Sequence, residues 1–417
     1  MSSSPIAAVL DEFDGRLPDS DCASLVVTER DHRVLLDALS SVPDPRRRRG
    51  VRHPFEPLLA AAVCAMLTGA RSFAAIGEWV SDLSAAGRAG LALPGPLPAA
   101  TTIWRLLIAV DPQGLQAALG GWLRARLQQL APQPSQPRSR SRRRRRVLAV
   151  DGKAMRATRH QDAPVHLLAA LDHATSVVVA QVNVDAKTNE IPCFTDVLNQ
   201  IEDLTGMVIT VDAMHAQTAH ADYLHTRGAH LLVTVKGNQP TLLAQLKALP
   251  WAQVPVGHTS TDRAHGRIEK RTLKAVTVTE QAGGLNFPHA AQAIQVVRKT
   301  RRINPKPGSK ARWRTETVYA IVTLPAEHAS PAELATWIRQ HWFIENKLHW
   351  VRDVTLGEDL HQARTRNGPQ VLAILRNLVL SLLRLAGHHN IARALRHHAR
   401  HPDQAITLIT CEFTTSQ

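Results

Sequence analysis

The sequence has little cysteine. Cys22, Cys64, Cys193 and Cys411 are scattered through 417 residues and form no CxxC pair. That spacing implies neither a disulfide framework nor a cysteine-built structural zinc, and it fits a reduced, cytoplasmic setting. Long apolar runs are also missing. Residues 57–67 are too few to cross a bilayer, and 371–385 is interrupted by Arg376, Asn377 and Arg384. The opening "MSSSPIAAVLDEFDGRLPDSD" lacks the basic region and long apolar core of a signal peptide. Acidic residues are outnumbered, 35 against 50 Lys and Arg, which leaves a formal net charge of +15. Such an excess points to a polyanionic partner. With no membrane anchor, nucleic acid fits better than an anionic bilayer.

What is present changes character along the chain. Residues 1–30 are polar and acidic and read as a mobile leader. Residues 31–130 follow a helical pattern, with breaks expected at Gly69 and Gly77 and threonines before "IWRLLIAV" suited to capping a helix. Short helices with small-residue turns behind "DPRRRRGVRH" suit a DNA-binding helical domain, although most small helical bundles bind no DNA. Residues 131–146 form a Pro/Ser linker in which seven arginines fall within nine residues. It is either a solvated spacer or, as this basic chain favours, a strap laid on phosphates through residues such as Arg142, Arg143 and Arg144.

Beyond the linker the period becomes that of strands. "VLAVDGKAMR" ends its buried run at Asp151, and "VHLLAALD" and "SVVVAQVNV" read as an antiparallel hairpin. A helix follows, then "MVITVDAMHAQ" with Asp212 at its end, a second helix, and the strand "AHLLVTVKGNQ". Three antiparallel strands, then helix, strand, helix and strand, is the order of a ribonuclease H-like mixed sheet. The first part of that core spans 147–238. Residues 239–316 read as a β-rich insertion, and 317–417 return to the core. "SPAE" at 330–333 is a strong helix start, and the helix it opens reaches Glu345. Two more helices are expected near 364–387 and 389–399.

Asp151 and Asp212 each close a buried strand. Alone, such a residue is usually a turn former. On neighbouring strands the two carboxylates would repel unless a cation lay between them, and hard oxygen ligands favour Mg²⁺ or Mn²⁺. A glutamate on a helix packed against the sheet would complete a set able to promote phosphodiester displacement with two ions. "IRQHWFIENKLHW" also offers His341, Glu345 and His349 at four-residue spacing. A straight helix covers about 12 Å over eight residues, so both histidines cannot reach one ion at Glu345 without a bend. HExxH spacing is absent as well. The plainest reading is a packed helix with Trp337, Trp342 and Leu348 in the core.

Taken together, "LAVDGKAMR", "ITVDAMHAQ", "LLVTVKGNQP", "HGRIEKRT" and "HWFIENKLHWVRDVTLGED" resemble the motifs of ISAs1-type (H-repeat-associated) transposases, within the IS4-like DDE group. The N-terminal "RRRRGVRHPFEPLLAAAVCAMLTGARSFAAIGEWV" is similar to the associated domain of that group. The resemblance covers roughly residues 35–390. It implies that Asp151, Asp212 and Glu345 form a catalytic triad on two Mg²⁺ (or Mn²⁺) ions. It implies nicking at the ends of a bacterial insertion sequence, followed by attack of the freed 3′-hydroxyl on target DNA. The partners implied are double-stranded DNA and a second copy of the chain, a homodimer pairing two ends near the nucleoid. Where the wider group has Tyr, Arg and Lys around the glutamate, this chain has Ile338, His341 and Arg352. Lys153, Lys236, His265, Arg267, His341, Asn346, Lys347 and Arg352 are the expected DNA contacts, with Trp313 either stacking on a base or buried. A DNA-binding derivative without catalysis and a metal-dependent nuclease without transposition are the alternatives.

Overall fold

The computed structural model describes residues 34–47, 49, 51–93, 95–129, 145–158, 164–185, 188–278, 284–303 and 311–410. The expected leader, Arg142, Arg143, Arg144 and most of the linker lie outside these residues. The described chain divides into two compact units. One is Val233–Thr336, and the other takes the residues before and after it.

The described residues of the larger unit open with six helices: α1 (Val34–Ser40), α2 (Phe55–Leu67), α3 (Phe73–Ser81), α4 (Ala85–Gly90), α5 (Ala100–Leu107) and α6 (Pro112–Gln129). In α2 every residue except Glu56 is buried, because its alanines let neighbours approach on all sides. Ser72 and Ser84 cap α3 and α4, each hydroxyl accepting a backbone N–H three residues on. The threonines thought to cap α5 lie inside it, and the cap position, Ala99, makes no side-chain bond. Gly69 does end its helix, with φ +102°. Gly77 breaks nothing. It sits within α3, where a Cβ would come 2.3 Å from that of Ala100, so its absence lets α3 and α5 touch.

The sheet of this unit runs β3-β2-β1-β4-β5, built from β1 (Val147–Ala154), β2 (His166–Asp172), β3 (Val178–Val184), β4 (Val208–Val211) and β5 (His230–Val235). β1–β2 and β2–β3 are antiparallel, whereas β1–β4 is parallel. Helices α7 (Glu190–Asn199) and α8 (Thr218–Thr226) make the crossovers. This is the ribonuclease H-like order. The β2–β3 turn is tied by Asp172, whose Oδ1 accepts the Thr175 N–H and hydroxyl, both at 2.9 Å. Asp151, Gly152 and Lys153 pair with Ala169, Leu168 and Leu167 inside β1.

The C-terminal segment adds π-helical turns at Ile344–His349 and Val351–Thr355, then three α-helices where two were expected. In our numbering these are α11 (Gly368–Leu385), α12 (Ile391–Arg400) and α13 (Pro402–Thr410), α9 and α10 lying in the segment described next. α11 is the one described helix long and apolar enough to cross a membrane, and it is buried against α2, α6, α12 and β3. Its polar residues have internal partners. Asn377 donates to Gln181, Arg384 donates to the Ser176 carbonyl, and Arg376 meets Glu358. Each buried leucine of this helix contributes about 2 kcal/mol by leaving water.

The smaller unit holds α9 (Pro240–Ala248) and four antiparallel strands in the order β9-β8-β7-β6: β6 (His258–Ala264), β7 (Arg267–Thr277), β8 (Gln292–Arg302) and β9 (Arg314–Val322). His265 and Gly266, at φ +51° and +65°, make the tight β6–β7 turn, whose handedness matches the strand twist. α10 (Pro331–Gln340) opens with the expected capping box. Ser330 Oγ accepts from Glu333 N at 3.3 Å, and Glu333 Oε2 accepts from Ser330 N at 2.8 Å.

Candidate active site

The parallel register aligns Val150 with Val211, so the next residues, Asp151 and Asp212, stand level on neighbouring chains. Asp212 has left its strand and caps the following 3-10 turn, accepting the Met214 N–H at 2.9 Å. Asp151 is still inside β1.

Glu345 arrives from the other side of the sequence. The α-helix stops at Gln340, the chain turns at His341–Trp342, and a π-helical turn begins at Ile344. Trp337, Ile344 and Leu348 are buried and fix this segment. Trp342, expected in the core, is instead 64% exposed. The change of helix type separates the two histidines that a straight helix would keep in line. His349 turns inward, 3% exposed, with Nδ1 3.0 Å from Glu345 Oε2 and 3.8 Å from Asp151 Oδ2. His341 turns to β4, where its Nδ1 lies 3.1 Å from Thr210 Oγ1, itself 3.1 Å from His173 Nε2.

One donor atom each from Asp151, Glu345 and His349 lie within 4.8 Å of one another. Asp212 stands outside that group. The electrostatics are those of an acidic centre short of positive charge. Burial pushes the Asp151 carboxyl up to about 7, and the charges of Glu190, Asp212 and Glu345 push the same way. Glu345 is held below its ordinary range by the hydrogen bond from His349, and burial lowers His349. A neutral imidazole donating Nδ1–H to Glu345 satisfies both shifts. The donor set fits a divalent cation: carboxylate oxygens suit Mg²⁺ or Mn²⁺, and a histidine bound to a ligand carboxylate fixes its orientation.

The expected DNA contacts divide. Arg352 is corrected outright. It is 1% exposed, with Nε and Nη2 on Glu358 at 3.0 and 2.8 Å, so it has no access to phosphate. Arg376 Nη1 joins the same carboxylate at 3.3 Å. Lys153 is buried, with Nζ 2.6 Å from Asp353 Oδ2. Lys347 is half-buried, its ammonium 3.7 Å from the Phe343 ring centroid, while Asn346 is exposed. Lys236, His265 and Arg267 are exposed residues of the smaller unit. Trp313 is 40% exposed there and lies over Lys270 and Arg301, at 5.7 and 5.0 Å.

Two residues of the centre escaped the sequence reading. His349 had a signal, its spacing from Glu345, but the straight-helix premise set it aside. Glu190 had none, since an acid at a helix start is ordinary capping chemistry.

Residues 142–382 match the family described as Transposase DDE domain, and residues 36–123 match the one described as DDE_Tnp_1-associated. Two Escherichia coli K12 proteins, named "Putative protein YbfL" and "H repeat-associated putative transposase YhhI", are 27% and 26% identical to this chain over 365 residues. Each alignment covers 84% of this chain and 90% of the relative. Among solved structures, the cryo-EM piggyBac transposase synaptic complex with hairpin DNA matches with a TM-score of 0.39 at 10% identity, covering 90% of this chain and 80% of that one. The chain belongs to the DDE transposases, in the ISAs1-type group of the H-repeat-associated proteins.

Proposed function

We propose that this transposase binds the terminal inverted repeats of an insertion sequence, nicks them, and joins the freed 3′ ends to target DNA. Asp151, Asp212 and Glu345 are the catalytic triad of this reading. The observation that carries it is the meeting of Asp151 and Glu345, 194 positions apart in sequence, within ligand distance of each other. A bound pair of Mg²⁺ or Mn²⁺ ions would supply Lewis acidity to the attacking and leaving oxygens. The protein's own residues do the rest. The parallel register holds the two aspartates level, His349 fixes the Glu345 carboxylate, and the buried apolar side chains around Glu345 hold its backbone against the sheet.

DNA binding has its own support in the smaller unit. Strand alternation puts Arg263, Lys270, Lys299 and Arg301 on one face of β6–β9, together with Trp313. Every carboxylate of these strands, Asp262, Glu269 and Glu316, falls on the other face. There Glu269 pairs with Arg271 and Arg298, and Arg298 with Glu316. That face also carries Arg267, Arg302 and Arg314, so its carboxylates offset only part of its charge, whereas the first face carries cations and no carboxylate and keeps them for phosphates. Joining requires two ends, so the working form holds two copies of the chain on DNA in the bacterial cytoplasm.

The test is metal-dependent nicking of DNA bearing the element's terminal repeats. Activity is expected with Mg²⁺ or Mn²⁺ and lost in Asp151→Ala and Glu345→Ala. Nicking that persists in either folded variant rejects the triad.

A further inference from the structure

A fourth carboxylate lies behind the acidic centre. Glu190 is the first residue of α7, capped by Asn189, and is buried. Its carboxylate rests on the backbone of Gly152, the residue after Asp151. A Cβ on Gly152 would fall 2.0 Å from Glu190 Oε1 and 2.1 Å from its Cδ. The glycine inside β1 is therefore the condition for this contact, not a turn residue. Strand alternation sends the Asp151 side chain to the face opposite that contact.

Two histidines hold Glu190. His166 Nε2, on β2, is 2.8 Å from Oε1, and His215 Nε2 is 3.5 Å from Oε2. His215 belongs to the 3-10 turn that Asp212 caps. It is fully buried beside Phe194 and His220. Glu190 thus touches the strand of Asp151 directly and the turn of Asp212 through an imidazole. The two histidines pull its carboxyl down to about 2 against burial, so it is ionised at neutral pH. Among the described residues, ligand-spaced donors are found at Asp151, Glu345 and His349.

We propose that Glu190 is a positioning residue for the acidic centre: its charge, set against the Gly152 backbone, fixes Asp151 and strengthens the hold of the centre on a divalent cation. The inference rests on the metal reading of Asp151 given above. A buried anion behind a ligand raises the ligand's attraction for a cation, and the about 10–100-fold in metal affinity carried by outer groups hydrogen-bonded to ligands sets the upper scale here.

The experiment titrates Mn²⁺ into the full chain without DNA, by calorimetry and by Mn²⁺ electron paramagnetic resonance. The unaltered protein, Asp151→Asn, Glu190→Gln and Glu190→Asp are compared after circular dichroism has verified folding. Glu190→Gln keeps the shape and removes the charge, and Mn²⁺ affinity is expected to fall about tenfold. Glu190→Asp restores the charge and is expected to recover most of the loss. Unchanged affinity in Glu190→Gln, with binding still abolished by Asp151→Asn, overturns the inference and leaves the metal reading standing. Equal loss in both Glu190 variants also overturns it, because shape rather than charge would then be at work. Absence of Asp151-dependent Mn²⁺ binding in the unaltered protein overturns the metal reading and this inference together.

Discussion

Two clusters of buried charge lie within a few residues of each other and are built on opposite plans. Around Glu358, which is 1% exposed, two guanidiniums close on one carboxylate: Arg352 with two nitrogens and Arg376 with one. Around Asp151, carboxylates gather with a neutral histidine in contact while Lys153 and Arg156 act on Glu345, and the Asp151 carboxyl still rises to about 7. The first cluster holds its counter-charges within the chain, and its work is to lock the π-helical turns to α11. The second leaves charge unmatched, which costs stability and creates affinity for a cation. Buried charge paired within the chain marks scaffold here, and the unbalanced carboxylates around Asp151 mark a site.

Breaking the internally paired cluster should have the largest effect. Glu358→Ala strands two buried arginines and is expected to cost about 3–5 kcal/mol, read as a shift in the urea midpoint. A variant of native stability would show that the cluster does not hold the fold.

The unbalanced cluster should respond in the opposite sense. Asp151→Asn is expected to lower nicking roughly a thousandfold while leaving the fold intact. Its stability should also change with pH in a defined way. Folded Asp151 keeps its proton up to about 7, whereas the unfolded carboxyl releases it near 3.8. The metal-free protein therefore loses stability as pH rises from about 4 through 7. Asp151→Asn removes that slope and should be on the order of 2 kcal/mol more stable than the unaltered chain at pH 8 without metal. A parallel pH–stability curve for the two proteins would mean that Asp151 is not under the repulsion described.

Smaller effects sharpen the contrast. Thr210→Val breaks the contact between β4 and His341 and should cost about 1 kcal/mol, with little change in metal affinity. On the smaller unit, Lys270→Ala and Arg301→Ala should each lower the salt slope of DNA binding by about 1. Arg298→Ala, on the internally paired face, should leave that slope unchanged. Equal slopes for all three would erase the distinction between the two faces.

Much of this was legible beforehand where local rules act alone. The capping box at Ser330–Glu333, the β2–β3 hairpin and the strand-helix order follow from spacing and composition, because each depends on neighbours in sequence. Asp212 could be placed at a strand end for the same reason, whereas Asp151 turned out to lie inside β1. Misreadings arose where a residue's role depends on what folds against it. Gly77 read as a break, yet it is a close-approach position, to Ala100, as Gly152 inside β1 is to Glu190. Trp342 read as core because tryptophan usually is. Arg352 read as a phosphate grip because nothing local announces that Glu358 will close on it.

The sequence by itself determined the ribonuclease H-like order, the basic character and the three carboxylates proposed as the catalytic triad. Those rest on periodicity, net charge and motifs that survive any arrangement of the remaining chain. Only the tertiary structure decided that His349 joins Glu345, that Arg352 is sealed away, and that Glu190 stands behind Asp151. Each of those depends on distances between residues far apart in sequence. The dielectric and charge around a side chain are set by the folded surroundings and not by its sequence neighbours.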